Sequence, residues 1–453
     1  MVGIDEHVPL LDGRSVPYVN LDNAATTPAL QSVLDAVTDL LPRYASVHRG
    51  TGYKSRYTTE AYERARRVVG RFVGADPDRD TVVFGKHTTD AINTLAQAVV
   101  LPDDAVVITT VLEHHSNDLP WRKRARVLHV RAASDGTLDE DHLDELLAAH
   151  AGRIGMVCVT GASNVTGVVP RIHTIAERVH AAGGLVMVDA AQLAAHRPID
   201  LRPHDDPGHL DFVALSGHKV YAPFGAGALI GRRDAFRPVP HHPGGGTIEA
   251  VTLADVRWAE LPDREEGGSP NVLGAVALAA AVERLQAVGL ERVADHERCL
   301  VRHITARLRT LPGVHLHAPD VEAVDRVGVV PFTVDGIEHG RLAAVVGHEH
   351  GIGIRSGCFC AHPYVAHLLG LSTADVLGAP PGRLGAARVS VAAYTDQADI
   401  DRLVHALTAV CGGEIRGEYR QEAAGDWVPR RPIADPIAQP LAIDGLDHEC
   451  RWP

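Results

Sequence analysis

The sequence predicts an α/β protein: a large domain on a mostly parallel sheet, then a smaller α/β C-terminal domain. Three observations carry this. Short β-branched runs alternate with helical patterns through the first 230 residues. A chain of 453 residues is too long for one small core. A long helical pattern from Gly274 to about Val288 then connects the first region to a second.

Taken in order, the candidate strands are 82–84, 106–108, 127–130, 156–159, 186–188, 212–215 and 228–230. Between them, 91–100, 138–150 and 172–181 carry apolar residues at helical spacing, and Gly183-Gly184 ends the last. Such alternation implies parallel strands with helices on both faces. The smaller region runs from about 291 to 411, with strands near 327–334 and 388–391. Residues 1–30 are expected to pack on this small domain, with 31–290 forming the large one. Residues 412–453 lack periodicity and mix prolines with charge, which predicts an irregular surface tail.

Composition limits the function. Hydrophobic residues make up 45% and charged residues 22%, ordinary for a globular protein. A net charge of −13 argues against nucleic acid or an anionic membrane as main partner. The start, Met1 to Glu6, lacks the basic and apolar regions of a secretory signal, and no apolar run reaches the length of a membrane helix. Six scattered cysteines form no disulfide framework, so a reducing, cytoplasmic setting is expected.

The chemistry begins at Lys219. It is one of four lysines among 44 basic residues, and it closes Ser216-Gly217-His218-Lys219. A desolvated lysine can lose its proton and attack a carbonyl, which arginine cannot do. Upstream, Asp189-Ala190-Ala191-Gln192 follows the apolar run Leu185-Val186-Met187-Val188. Asp189 and Lys219 both fall just past expected strand ends, where ligands bind on parallel sheets. A carboxylate for a pyridinium nitrogen and an amine for an aldehyde are what pyridoxal 5'-phosphate (PLP) needs.

Further motifs join this pair: Leu21 to Thr27, Val47-His48-Arg49-Gly50, Glu113-His114-His115-Ser116-Asn117, Ser163-Asn164-Val165-Thr166-Gly167, Gly268-Ser269-Pro270-Asn271, and Arg355-Ser356-Gly357-Cys358-Phe359-Cys360. In this order and spacing, the chain from about Leu21 to Cys411 resembles the class V aminotransferase group of fold-type I PLP enzymes. Within that group it is most similar to the cysteine desulfurase/selenocysteine lyase family, in its short-loop second group.

The resemblance implies roles for residues. Lys219 would carry PLP and serve as base at the substrate Cα. Asp189 would pair with the ring nitrogen, Gln192 with the ring hydroxyl, and His114 would lie over the ring and shuttle protons. Thr88 and Thr89, at a helix amino end, would join Ser216 and His218 around the phosphate. Ser269 would reach the phosphate of a neighbouring subunit, which implies a homodimer. Arg388 would clamp the substrate carboxylate, helped by Asn164. Arg355 and His48 are further substrate candidates. Cys360 stands at the position of the nucleophilic cysteine, which takes sulfur from L-cysteine as a persulfide, releases alanine and hands the sulfur to an acceptor protein. The remaining cysteines, Cys158, Cys299, Cys411 and Cys450, are expected to be buried and inert.

Two departures leave alternatives open. Cys358 is unusual in the short-loop group, and Gly-Cys-Phe-Cys is similar to a run in the molybdenum-cofactor sulfurases. It fits a resolving thiol, a second relay or a packed small residue. His87 stands where relatives commonly carry glycine. Cys-x-Cys with His362 lacks the paired spacings of a zinc site, so no metal is expected. A C–S or C–Se lyase, an epimerase or an aminotransferase on the same scaffold is the rival activity, and selenocysteine the rival substrate. A non-catalytic scaffold for sulfur carriers is a third reading.

Overall fold

The computed structural model describes residues 1–431 apart from Val321 and Pro381. Seven strands form the large sheet: β1 Asp80–Gly85, β2 Val106–Thr110, β3 Arg126–Val130, β4 Ile154–Thr160, β5 Leu185–Asp189, β6 Phe212–Ser216 and β7 Gly227–Arg232. Their spatial order is β1-β7-β6-β5-β4-β2-β3. All run parallel except β7, which pairs antiparallel with both β1 and β6. β4 and β6 are buried at every position, as expected for strands covered on both faces.

Helices cover the two faces. α1 Gln31–Leu40 and α2 Tyr53–Phe72 precede the sheet, and α3 Thr88–Ala98, α4 Glu140–Ala149 and α5 Ile172–Ala181 alternate with its strands. The sequence reading passed over α2. From its third turn on it buries Tyr62, Ala65, Val69 and Phe72 at helical spacing behind an arginine-rich outer face. It packs on α6 Val272–Val288, which is apolar nearly all round and buried accordingly. α3 begins at Thr88, ahead of the apolar pattern expected from 91, because the His87 ring accepts the Asp90 amide at 3.1 Å and caps the helix.

α7 Leu290–Leu308 leads into a second core. There β8 Val314–Leu316, β9 Val329–Val334, β10 Arg355–Gly357 and β11 Ala386–Ser390 form a sheet in the order β8-β9-β11-β10. α8 His339–His350 and α9 Gln397–Cys411 pack with it. The N-terminal segment joins this core: Val19–Asn20 pairs in parallel with Ile352–Gly353, and Leu21 is fully buried there.

The expected irregular tail is corrected within its described part. Tyr419–Gln421 and Trp427–Pro429 make an antiparallel hairpin. Tyr419 is buried against Glu349, and the Trp427 ring nitrogen donates to Glu338 at 3.0 Å. Residues 432–453, with Cys450, lie outside the described residues. Cys158 is buried, as expected, but Cys299 is exposed and Cys411 only half-buried. Among the described residues no single helix is long and apolar enough to cross a membrane.

Candidate active site

A cavity of about 450 Å³ opens at the carboxyl ends of β4, β5 and β6, roofed by the loop after β10. Thr88, Thr89, His114, Asn164, Asp189, Gln192, Ser216, His218, Lys219, Arg355, Cys360 and Arg388 all line it. Two other candidate residues do not. His48 sits in the left-handed region at φ 66° and bonds Glu63 at 2.9 Å, against the Tyr62 ring. Ser269 lines a separate hollow with Phe84 and Glu266. Neither lines the cavity of its own chain.

Lys219 follows β6 through the short turn Gly217–Lys219. Burial pulls its amine down to about 8, while Asp189 opposes the shift and Arg388 adds to it. The amine is therefore available near neutral pH. Asp189 ends β5 and is buried. Its Oδ1 accepts the Ala191 amide at 2.9 Å, and its Oδ2 has no protein partner among the described residues. Burial raises this carboxyl, opposed by the Ala191 amide and by Lys219. Gln192 is held by its Nε2, which donates to the Ala24 carbonyl at 2.6 Å.

The floor beside α3 is built from hydroxyls. Ser216 Oγ accepts the Thr88 amide at 2.8 Å and lies 2.8 Å from the Thr88 hydroxyl. Thr89 Oγ1 is 2.7 Å from Ser116 Oγ. The His218 ring is brought down to about 4 by burial and by Lys219, so it stays neutral at pH 7.

His114 is fixed by a device the sequence did not reveal. Glu113 is buried, and accepts from the Thr110 hydroxyl, the Asn117 amide and the Thr160 backbone at 2.7, 2.7 and 2.9 Å. These bonds lock the turn that carries His114 over the cavity. His114 Nδ1 accepts the Ser116 amide at 3.1 Å, and burial pulls its pKa down to about 4. The ring is thus neutral with its proton on Nε2.

Arg388, on β11, is buried and bridges the two cores. Nη1 donates to the Asn164 carbonyl at 2.8 Å, and Nη2 to Asp22 Oδ1 at 3.0 Å. Its Nε is buried with no partner among the described residues. Asp22 also lies 3.8 Å from Arg355, whose side chain is more than half exposed. The sequence placed Asp22 in a motif without giving it this task.

The cysteine loop owes its shape to Phe359. Phe359 and Cys360 both take φ of 53°, which non-glycine residues seldom adopt. Three anchors hold them there. The Phe359 ring lies 4.8 Å from the Arg388 guanidinium, its carbonyl accepts from Asn164 Nδ2 at 2.7 Å, and the Cys360 carbonyl accepts the His115 amide at 2.7 Å. Cys360 is exposed to the cavity, whereas Cys358 is half-buried and its thiol donates to the Leu384 carbonyl at 3.3 Å. Burial pushes the Cys358 thiol up. The His115 and His362 rings stack at 5.0 Å beside the loop.

These residues fit PLP: a desolvated amine, a buried carboxylate with one open oxygen, and a hydroxyl-lined helix amino end face one cavity.

Comparison with known proteins agrees with this geometry. The sequence model of the family "Aminotransferase class-V" matches residues 19–403. The cysteine desulfurase of Haloferax volcanii is 35% identical over 409 residues, covering 88% of this chain and 90% of the relative. That of Dickeya dadantii is 36% identical over 403 residues, covering 86% and 91%. Among solved structures, the apo cysteine desulfurase of Thermococcus onnurineus superposes with a TM-score of 0.78 at 30% identity, covering 87% of this chain and 95% of that one. The Escherichia coli cysteine desulfurase CsdA gives 0.75 at 29%, covering 88% and 96%. The chain therefore belongs to the class V aminotransferase family and, within it, to the cysteine desulfurases.

Proposed function

We propose that this protein is a PLP-dependent cysteine desulfurase that converts L-cysteine to L-alanine, carries the sulfur on Cys360 and passes it to an acceptor protein. The observation that supports it most directly is the exposed Cys360, held by its backbone over the same cavity as the desolvated Lys219. PLP, when bound, supplies an electron sink for the substrate Cα.

The chain's own groups supply the rest. Lys219 holds the cofactor and then moves the Cα proton, a role suited to an amine near 8. Asp189 Oδ2 would pair with the ring nitrogen, and Gln192 and the α3 hydroxyls would hold the remainder. Arg388 takes the substrate carboxylate through its unpartnered Nε, with Arg355 at the mouth. The Cys360 thiolate attacks the substrate sulfur; an S–S bond forms, the Cβ–S bond breaks, and the electron pair stays with the carbon that becomes the alanine methyl. His114, neutral with Nε2–H, manages the proton at the departing sulfur.

A homodimer in the cytoplasm completes this reading. His48 and Ser269 lie outside their own chain's cavity, which suits contributions to a neighbour's site. The test is to incubate the protein with L-cysteine, quantify alanine and locate the persulfide by peptide mass spectrometry. Alanine formation lost in Cys360→Ala, with PLP still bound, is the expected result. Unchanged turnover, or sulfur found first on Cys358, defeats the assignment.

A further inference from the structure

At the amino ends of the strands, opposite the cavity, Asp80, His204 and His209 come together. Asp80 opens β1, and the two histidines lie on the loop that runs into β6. One ligand atom from each lies within 4.8 Å of the others. His204 Nε2 is 2.9 Å from Asp80 Oδ1, and the two imidazole rings are 4.2 Å apart.

The protonation pattern leaves bare nitrogens. His209 Nδ1 meets the Arg202 carbonyl at 2.8 Å and so carries the proton, which makes Nε2 a lone-pair acceptor. Among the described residues that Nε2 is buried without a partner, as is His204 Nδ1. His209 is 2% exposed, and the His204 side chain 3%. Buried polar atoms in folded proteins are nearly always bonded, so the orphaned His209 Nε2 beside the His204–Asp80 pair points to a missing ligand. Burial also holds His209 below its ordinary value, with the charge of His204 adding to the effect and the Arg202 carbonyl opposing it. A neutral imidazole is the form that binds metals.

The surroundings are fixed in advance. Asp80 Oδ2 accepts the Asp76 amide at 2.8 Å, and the Asp80 carbonyl accepts from Arg233 Nε at 2.7 Å. The backbone carbonyl behind His209 is the outer contact that orients ligating histidines.

We propose that Asp80, His204 and His209 bind one divalent cation of the zinc class, which fastens the loop before β6 to the start of β1. His209 Nε2, His204 Nε2 and Asp80 Oδ1 suit such an ion, which displaces the proton shared by the last two and takes water in the fourth place. The site is independent of the cysteine chemistry at the other end of the sheet.

Cobalt(II) is the probe. The full chain, loaded with PLP and carrying Cys358→Ser and Cys360→Ser to remove competing thiols, is titrated with cobalt chloride and followed by visible absorption. Bands saturating at one ion per chain, displaced by zinc, are expected. Asp80→Asn should weaken affinity by about 10- to 100-fold, and His209→Gln should remove the bands. Zinc should raise the melting midpoint of the parent, a readout that needs no variant to fold. Absence of cobalt bands in the parent, bands unchanged in Asp80→Asn and His209→Gln, or a midpoint indifferent to zinc overturns the proposal.

Discussion

Lys219 and Glu113 are both buried, and burial moves their protons in opposite directions. The Lys219 amine sits near 8 because its charged form is desolvated. Capture of PLP by the apo chain needs the free amine. Its rate should climb about tenfold per pH unit below 8 and level above it, as followed by stopped-flow absorbance. Glu113 is raised from 4.5 to about 8 by burial, against its three donors. A carboxyl whose folded value is raised contributes stability that is full below 4.5 and lost as pH rises through about 8. The parent should therefore lose stability relative to Glu113→Gln across that window, as shown by urea midpoints on either side of it. His114 is neutral above about 4. His114→Ala should retain PLP yet lower alanine formation by about 10²- to 10⁴-fold. Lys219, Asp189 and His114 were legible because each sits in an ordered motif. Asp22, Glu113 and Phe359 occur in those same motifs, but their work is done through contacts across the fold, which spacing does not show.

Among elements, the antiparallel pair β10–β11 decides where Cys360 stands. Gly385 takes φ of 146°, and a Cβ there would meet the Gly357 backbone at 2.4 Å. Gly385→Ala should cost about 1–3 kcal/mol and shift the cysteine loop, seen as a lower melting midpoint and weaker turnover. Phe359→Ala removes the ring under Arg388, a contact of about 0.5–2 kcal/mol, and lets the loop leave its left-handed turn. The expected result is a higher KM for cysteine together with a lower kcat. The large sheet was readable strand by strand, since short apolar runs such as Phe212-Val213-Ala214-Leu215 are buried on both faces and bounded by turns. Helix α2 escaped because its arginines mask a narrow apolar stripe. The hairpin at 419–429 escaped because strands of three residues have no period to detect.

At the scale of the whole molecule, Arg388 ties three parts of the chain together: β11, the Asn164 turn of the large domain and Asp22 of the N-terminal segment. The cavity exists only where these meet. Sedimentation of the intact protein should report a dimer, and mixed dimers pairing Lys219→Ala with Ser269→Ala chains would show whether one chain completes the other's phosphate site. A last consequence concerns delivery. The main chain around Cys360 is pinned on both sides, through Asn164 at the Phe359 carbonyl and His115 at its own. Sulfur carried on Cys360, as proposed above, would have no swinging arm, only a side-chain rotation. An acceptor would have to reach down to the rim, so the shape of that rim would select the customer.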